Sequence, residues 1–204
     1  MDKTQLFLKY FKLAEAHYSK SEKRLASEKW KQPWQTLLVT ILSARNRDEV
    51  TIPTAENFFQ KFDTLEKIAH ANIEAIKKYL HSINFFENKS KYLQATAKIL
   101  IEKYNEIPPK TIEELIQLPG VGRKTANLFL SEIHNQDTIT VDTHVHRISN
   151  VLELVKTKTP NETEIELQKI APKKYWNKIN RIFVLWGKDC PGQDKEKLLK
   201  TILE

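Results

Sequence analysis

Lys124 is the residue in this chain with the most chemistry open to it. It stands in Leu118-Pro119-Gly120-Val121-Gly122-Arg123-Lys124-Thr125-Ala126-Asn127, where one helical pattern breaks and a second begins around Arg123. In the first turn of that second helix a lysine has three readings: a solvated charge, a phosphate contact or an amine nucleophile. The positive end of the helix dipole, Arg123 alongside and partial desolvation all favour the neutral amine, which is the form that attacks. Asp142 is the second residue of interest, in Val141-Asp142-Thr143-His144-Val145-His146-Arg147. It follows an extended stretch and precedes a new helical pattern, the usual place of an N-cap. His144 and His146 are two apart on an expected helix, so they diverge, and no third ligand lies nearby. No metal site is expected.

The turn that places Lys124 is itself informative. The chain has four glycines, and two of them, Gly120 and Gly122, fall here. Glycine permits backbone angles closed to other residues and lets a ligand approach the main chain. Leu118 and Val121 are expected to anchor the hairpin, while the amides of Gly120, Val121 and Gly122 point outward at a helix N-terminus and suit a phosphate. The plain alternative is a tight helix–helix turn without a ligand. The preceding strand and spacing of a P-loop are missing.

The elements around these residues read as helices almost throughout. Leu93, Ala97, Leu100 and Ile101 recur at helical spacing, as do Ile165, Leu167 and Ile170. Residues 1–12 alternate apolar and charged residues as an amphipathic helix does. Helix starts are predicted at Asp63, Thr111 and Asn161, each three residues before a glutamate. Thr138 to Val141 alternates like a short strand but reads better as an extended linker. Breaks near 31–34, 107–110, 135–140 and 157–161 give about ten helices and an all-α fold. Two helical lobes are expected: residues 28–136, carrying the hairpin and Lys124, and residues 1–27 with 137–204, carrying Asp142.

Bulk composition narrows the setting. Lys and Arg number 33 against 26 acids, a net charge of +7, which favours a polyanionic partner. The chain has one cysteine, Cys190, which excludes an internal disulfide and any all-cysteine metal site within it. No apolar run reaches membrane-spanning length and no signal peptide is evident, so an intracellular, cytoplasmic or nucleoid-associated protein is expected.

With both motifs in view, Leu-Pro-Gly-Val-Gly-Arg-Lys-Thr-Ala-Asn followed by Val-Asp-Thr-His-Val-x-Arg resembles endonuclease III of the helix-hairpin-helix DNA glycosylases, from about Trp34 to about Cys190. The resemblance implies a bifunctional glycosylase and AP lyase acting as a monomer on double-stranded DNA that contains damaged bases, oxidised pyrimidines foremost, or abasic sites. Lys124 would attack C1′ of an extruded nucleotide, form a Schiff base and lead to β-elimination. Asp142 would help deprotonate Lys124 and stabilise charge on the sugar. DNA would lie across a cleft between the lobes, touched by Gly120, Val121, Gly122, Arg123 and His144. Ile41 to Asp48 matches the segment that fills the gap left by the flipped base, with Arg45, where glutamine stands in the family, and Asn46 in it. Ile83 to Lys89 matches a loop with an apolar wedge, which assigns Phe85 and Lys89 to DNA. Against the wedge, Phe85 and Phe86 both read equally as core. Asn84 replaces the usual glycine, a swap that a left-handed turn tolerates.

The sequence departs from the family at its end. Leu185 to Cys190 resembles the approach to the first of four cysteines of a [4Fe–4S] cluster, but the other three are absent, and residues 193–203 read as a short helix. No cofactor is expected. The rival readings are a glycosylase for uracil, mismatched or oxidised-purine bases, and a non-catalytic helix-hairpin-helix module that merely holds DNA.

Overall fold

A computed structural model describes residues 2–203. Among them there is no strand, and twelve α-helices with one 3-10 turn carry the fold. In chain order the helices are α1 (Lys3–Tyr18), α2 (Pro33–Ser43), α3 (Asp48–Lys61), α4 (Leu65–Ala69), α5 (Ile73–Leu80), α6 (Phe86–Tyr104), α7 (Ile112–Leu115), α8 (Arg123–His134), α9 (Thr143–Val151), α10 (Pro160–Ile170), α11 (Trp176–Asp189) and α12 (Lys195–Leu203). The turn Lys173–Tyr175 precedes α11. The excess over ten comes from pieces such as α4 and α7, too short to show a periodic apolar face. Residues 135–142 form an irregular connection, as their sequence suggested.

The chain divides into two compact units, one from Arg24 to His134 and one combining the chain through Lys23 with the chain from Asn135 on. The first unit holds α2 to α8. Its core gathers Leu37, Leu38, Ile41 and Leu42 of α2 with Phe58 of α3, Leu93, Ala97 and Leu100 of α6 and Phe129 and Leu130 of α8. The near-continuous apolar run of α2 is explained by this burial, since Thr36 to Leu42 all lie inside. In the second unit Phe7, Phe11 and Ala14 of α1 are fully buried, and Phe11 packs its ring near those of Tyr175 and Phe183.

The helix starts follow local chemistry more finely than the spacing to glutamate suggested. Thr111 caps α7 as expected, accepting from the Glu114 amide. The cap of α4 is Thr64, while Asp63 instead pairs with Lys67 at 2.8 Å. The cap of α10 is Thr159, because Pro160 presets the first helical residue and pushes Asn161 into the first turn. The buried face of α10 is Thr163, Glu164 and Leu167, and Ile165 is exposed, so the apolar spacing there misread the face.

Candidate active site

The hairpin of the first unit is built as a braced turn. Leu118 and Val121 are 3% and 6% exposed, so both anchor it. The Thr96 hydroxyl of α6 donates to the Pro119 carbonyl at 3.1 Å. Gly120 sits at φ +78°, and a Cβ there would lie 2.7 Å from Cδ2 of Tyr92 and 3.0 Å from Ile41. Gly122 faces open space instead. One expected feature fails: the Val121 amide donates to the Leu118 carbonyl at 3.1 Å, so it closes the turn and is not offered to a ligand. Among the described residues no backbone carbonyl takes the amides of Gly120 or Gly122. Arg123 and Lys124 open α8 directly after them, both exposed, so the partial desolvation expected of Lys124 is not found in the chain by itself.

Two loops of the same unit meet at a second feature. Arg45 and Phe85 both adopt left-handed backbone, φ 57° and 59°, and the Arg45 guanidinium stands over the Phe85 ring at 5.6 Å. Phe85 is 58% exposed, which separates it from Phe86, half-buried against the core. The left-handed residue of this loop is thus Phe85 and not Asn84. Asn84 instead ties the loops, donating from its side chain to the Arg45 carbonyl at 2.7 Å and from its backbone to Asn46 at 2.9 Å.

Lys89 corrects the expectation of a DNA contact. It is 5% exposed, and its ammonium donates to the carbonyls of Leu42 at 2.8 Å and Ala44 at 2.6 Å. Burial pushes its pKa down to about 8. The resemblance of the 83–89 loop assigned it to DNA, although it falls on the buried stripe of α6 with Ser90, Leu93, Thr96, Ala97 and Leu100. Tyr92, which cradles Gly120, was not singled out at all.

In the second unit Asp142 is the N-cap of α9, and both cap bonds, from the amides of His144 and Val145 at 2.9 Å, fall on Oδ1. The half-buried carboxylate therefore keeps Oδ2 outside the cap. The His144 ring lies against Gly187 of α11, where any added Cβ would overlap it. His146 spends Nδ1 on the Thr163 hydroxyl at 2.7 Å, and no group of three or more metal-binding side chains occurs among the described residues. Arg147 closes the motif in a way its sequence did not announce. Its guanidinium donates to the carbonyls of Gly187 at 3.0 Å, Cys190 at 2.9 Å and Gly192. Trp186 adds a second tie, its indole N–H shared by the Leu198 carbonyl at 3.0 Å and the Thr201 hydroxyl at 2.8 Å. The turn after α11 is thus fastened by a guanidinium and by α12. Its single buried thiol, Cys190, does not fit a four-cysteine cluster.

A braced glycine hairpin opening a helix, on an all-helical chain with surplus positive charge, defines a helix-hairpin-helix protein suited to a phosphate backbone. Comparison with known proteins narrows this class. The family model for the HhH-GPD superfamily of base excision DNA repair proteins matches residues 38–173. Endonuclease III of Thermotoga maritima is 40% identical over 156 residues, covering 76% of this chain and 73% of that protein. Endonuclease III of Rickettsia conorii is 38% identical over 159 residues, covering 78% and 76%. Among solved structures, a trapped endonuclease III–DNA covalent intermediate with an estranged adenine superimposes with a TM-score of 0.85 at 29% identity, over 95% of this chain and 90% of that one. This chain belongs to the endonuclease III family of the helix-hairpin-helix base-excision repair superfamily. No helix among the described residues is long and apolar enough to cross a membrane.

Proposed function

We propose that this chain is a bifunctional DNA glycosylase and AP lyase of base-excision repair, with Lys124 as nucleophile and Asp142 as the group that accepts its proton. One observation carries the reading: the Lys124 amine is exposed on the first turn of the helix that the glycine hairpin opens. A backbone phosphate seated on the Gly120 and Gly122 amides holds the strand, and the flanking nucleotide must leave the stack to be reached.

A lysine attacks only as the neutral amine, so a proton must leave before the new bond forms. Asp142 takes it, with Oδ2 as the available oxygen. The amine nitrogen then bonds to C1′, the bond from C1′ to the base breaks, and the base departs with a proton. Opening of the sugar ring gives the imine. Loss of a C2′ proton and cleavage of the C3′–O bond cut the strand on its 3′ side, and water returns the free amine. Each step needs acid–base help, which a positioned carboxylate supplies at about 10²- to 10⁴-fold. The damaged bases we assign are oxidised pyrimidines.

Borohydride trapping on a duplex with one abasic site tests the lyase. The expected result is a covalent adduct whose DNA-bearing peptide contains Lys124. Absence of an adduct from folded, DNA-binding protein would reduce Lys124 to a phosphate contact. A parallel series with an oxidised pyrimidine, uracil, a mismatch or an oxidised purine assigns the base, and release confined to the last three would overturn the pyrimidine assignment.

The reaction requires no metal or diffusible cofactor on this reading, and Cys190 alone cannot supply the four thiolates of the cluster that the sequence resemblance raised. Purified protein is accordingly expected to hold no stoichiometric iron and to lack a visible absorption band. Iron near one cluster per chain would contradict it.

A further inference from the structure

The paired tip of Arg45 and Phe85 is costly to build. Left-handed backbone costs a non-glycine residue about 1–2 kcal/mol, and here two such residues stand side by side. They persist only because the neighbouring chain is tied down. Lys89 holds the carbonyls of Leu42 and Ala44, the two that frame the turn leading into Arg45. Asn46 returns its side-chain amide to the Leu42 carbonyl at 2.8 Å, and Asn84 takes the Arg45 carbonyl itself. With its backbone tied there, Arg45 extends a guanidinium over an exposed aromatic ring.

The choice of lysine at position 89 is what requires explanation. Every other residue of the buried stripe of α6 is uncharged, and a buried ammonium is tolerated only when it is hydrogen-bonded. For filling space an apolar side chain would serve better. What lysine provides and an apolar residue does not is a donor long enough to reach carbonyls 45 and 47 residues away in sequence.

We propose that Lys89 is a positioning residue for the repair reaction: it fixes the 42–46 turn so that Arg45 and Phe85 enter the duplex as one stacked unit. This rests on the reading of the chain as a base-extruding glycosylase. Arg45 and Phe85 fill the space that the extruded nucleotide leaves, and Lys89 acts through them without touching DNA.

Fluorescence anisotropy against two duplexes of one sequence tests it, one undamaged and one with a central tetrahydrofuran abasic analogue. Wild type is expected to prefer the analogue. In Lys89→Met the preference is expected to fall about tenfold or more, while affinity for undamaged duplex, set by the hairpin, stays within about twofold. A merely structural role would lower both affinities together, and that outcome, or an unchanged preference, overturns the proposal. Asn84→Ala, at an exposed position, removes the tie to the Arg45 carbonyl and is expected to give the same selective loss at about threefold. It decides the matter should Lys89→Met fail to fold, since an unchanged preference there is equally fatal. Absence of any preference in wild type would instead count against the glycosylase reading itself.

Discussion

Replacing Asp142 by Asn is expected to slow strand cleavage at an abasic site by about 10²- to 10⁴-fold while leaving the fold as stable as before. The two halves of this result come from different atoms of one side chain. Oδ1 accepts both cap bonds of α9, from His144 and Val145, and an asparagine amide oxygen does the same work. Asparagine and aspartate are near-equal N-caps, so the stability change should remain within about 0.5 kcal/mol. What asparagine lacks is the capacity to accept a proton, which the nucleophile proposed at Lys124 requires. Alanine separates the roles from the other side. Asp142→Ala removes cap and carboxylate together and is expected to cost about 1 kcal/mol in addition to the activity. Thermal unfolding and single-turnover cleavage, measured on both variants, check the pair. Were Asp142→Asn to cleave at the wild-type rate, Asp142 would be a cap and nothing more.

This double role bears on how much was legible in the sequence. Features set by neighbours along the chain were readable. Examples are Leu118 and Val121 as hairpin anchors, the Thr111 cap, and the position of Asp142 at the start of α9. What escaped was set by groups far away in the chain. Lys89 reads as one charge beside Glu87 and Lys91 until the carbonyls of Leu42 and Ala44 arrive from another helix end. Its helical spacing from Leu93, Thr96 and Ala97 was the available signal, outweighed by the resemblance of the 83–89 loop to one that meets DNA. Arg147 likewise reads as the tail of a DNA motif, whereas its guanidinium fastens a turn 40–45 residues further on. The Val121 amide was misassigned for a different reason. Leu118 to Val121 is a four-residue turn, and its closing bond runs from the amide of the last residue to the carbonyl of the first, which consumes the Val121 amide.

The two hairpin glycines are expected to fail in opposite ways, which tests the phosphate cradle directly. Gly120→Ala carries two penalties. A side chain at φ +78° is strained by about 1–2 kcal/mol, and its Cβ would meet the Tyr92 ring at 2.7 Å, so the ring must move. Overpacking of this kind costs about 1–3 kcal/mol, giving a total loss of about 2–5 kcal/mol. Gly122→Ala carries neither, since its Cβ would face open space and its φ lies outside the left-handed region. Its stability should match wild type within about 0.5 kcal/mol. A methyl group there nevertheless stands where a phosphate must approach the amide. Loss of one charge-assisted hydrogen bond, about 1.5–3 kcal/mol, corresponds to roughly a tenfold or greater drop in DNA affinity. The informative variant is therefore the one that leaves the protein intact. Denaturant unfolding and DNA binding at fixed salt, measured side by side, give the contrast. If Gly122→Ala bound DNA as tightly as wild type, the hairpin would be a structural turn, and phosphate contact would have to come from Arg123 and the surrounding lysines instead.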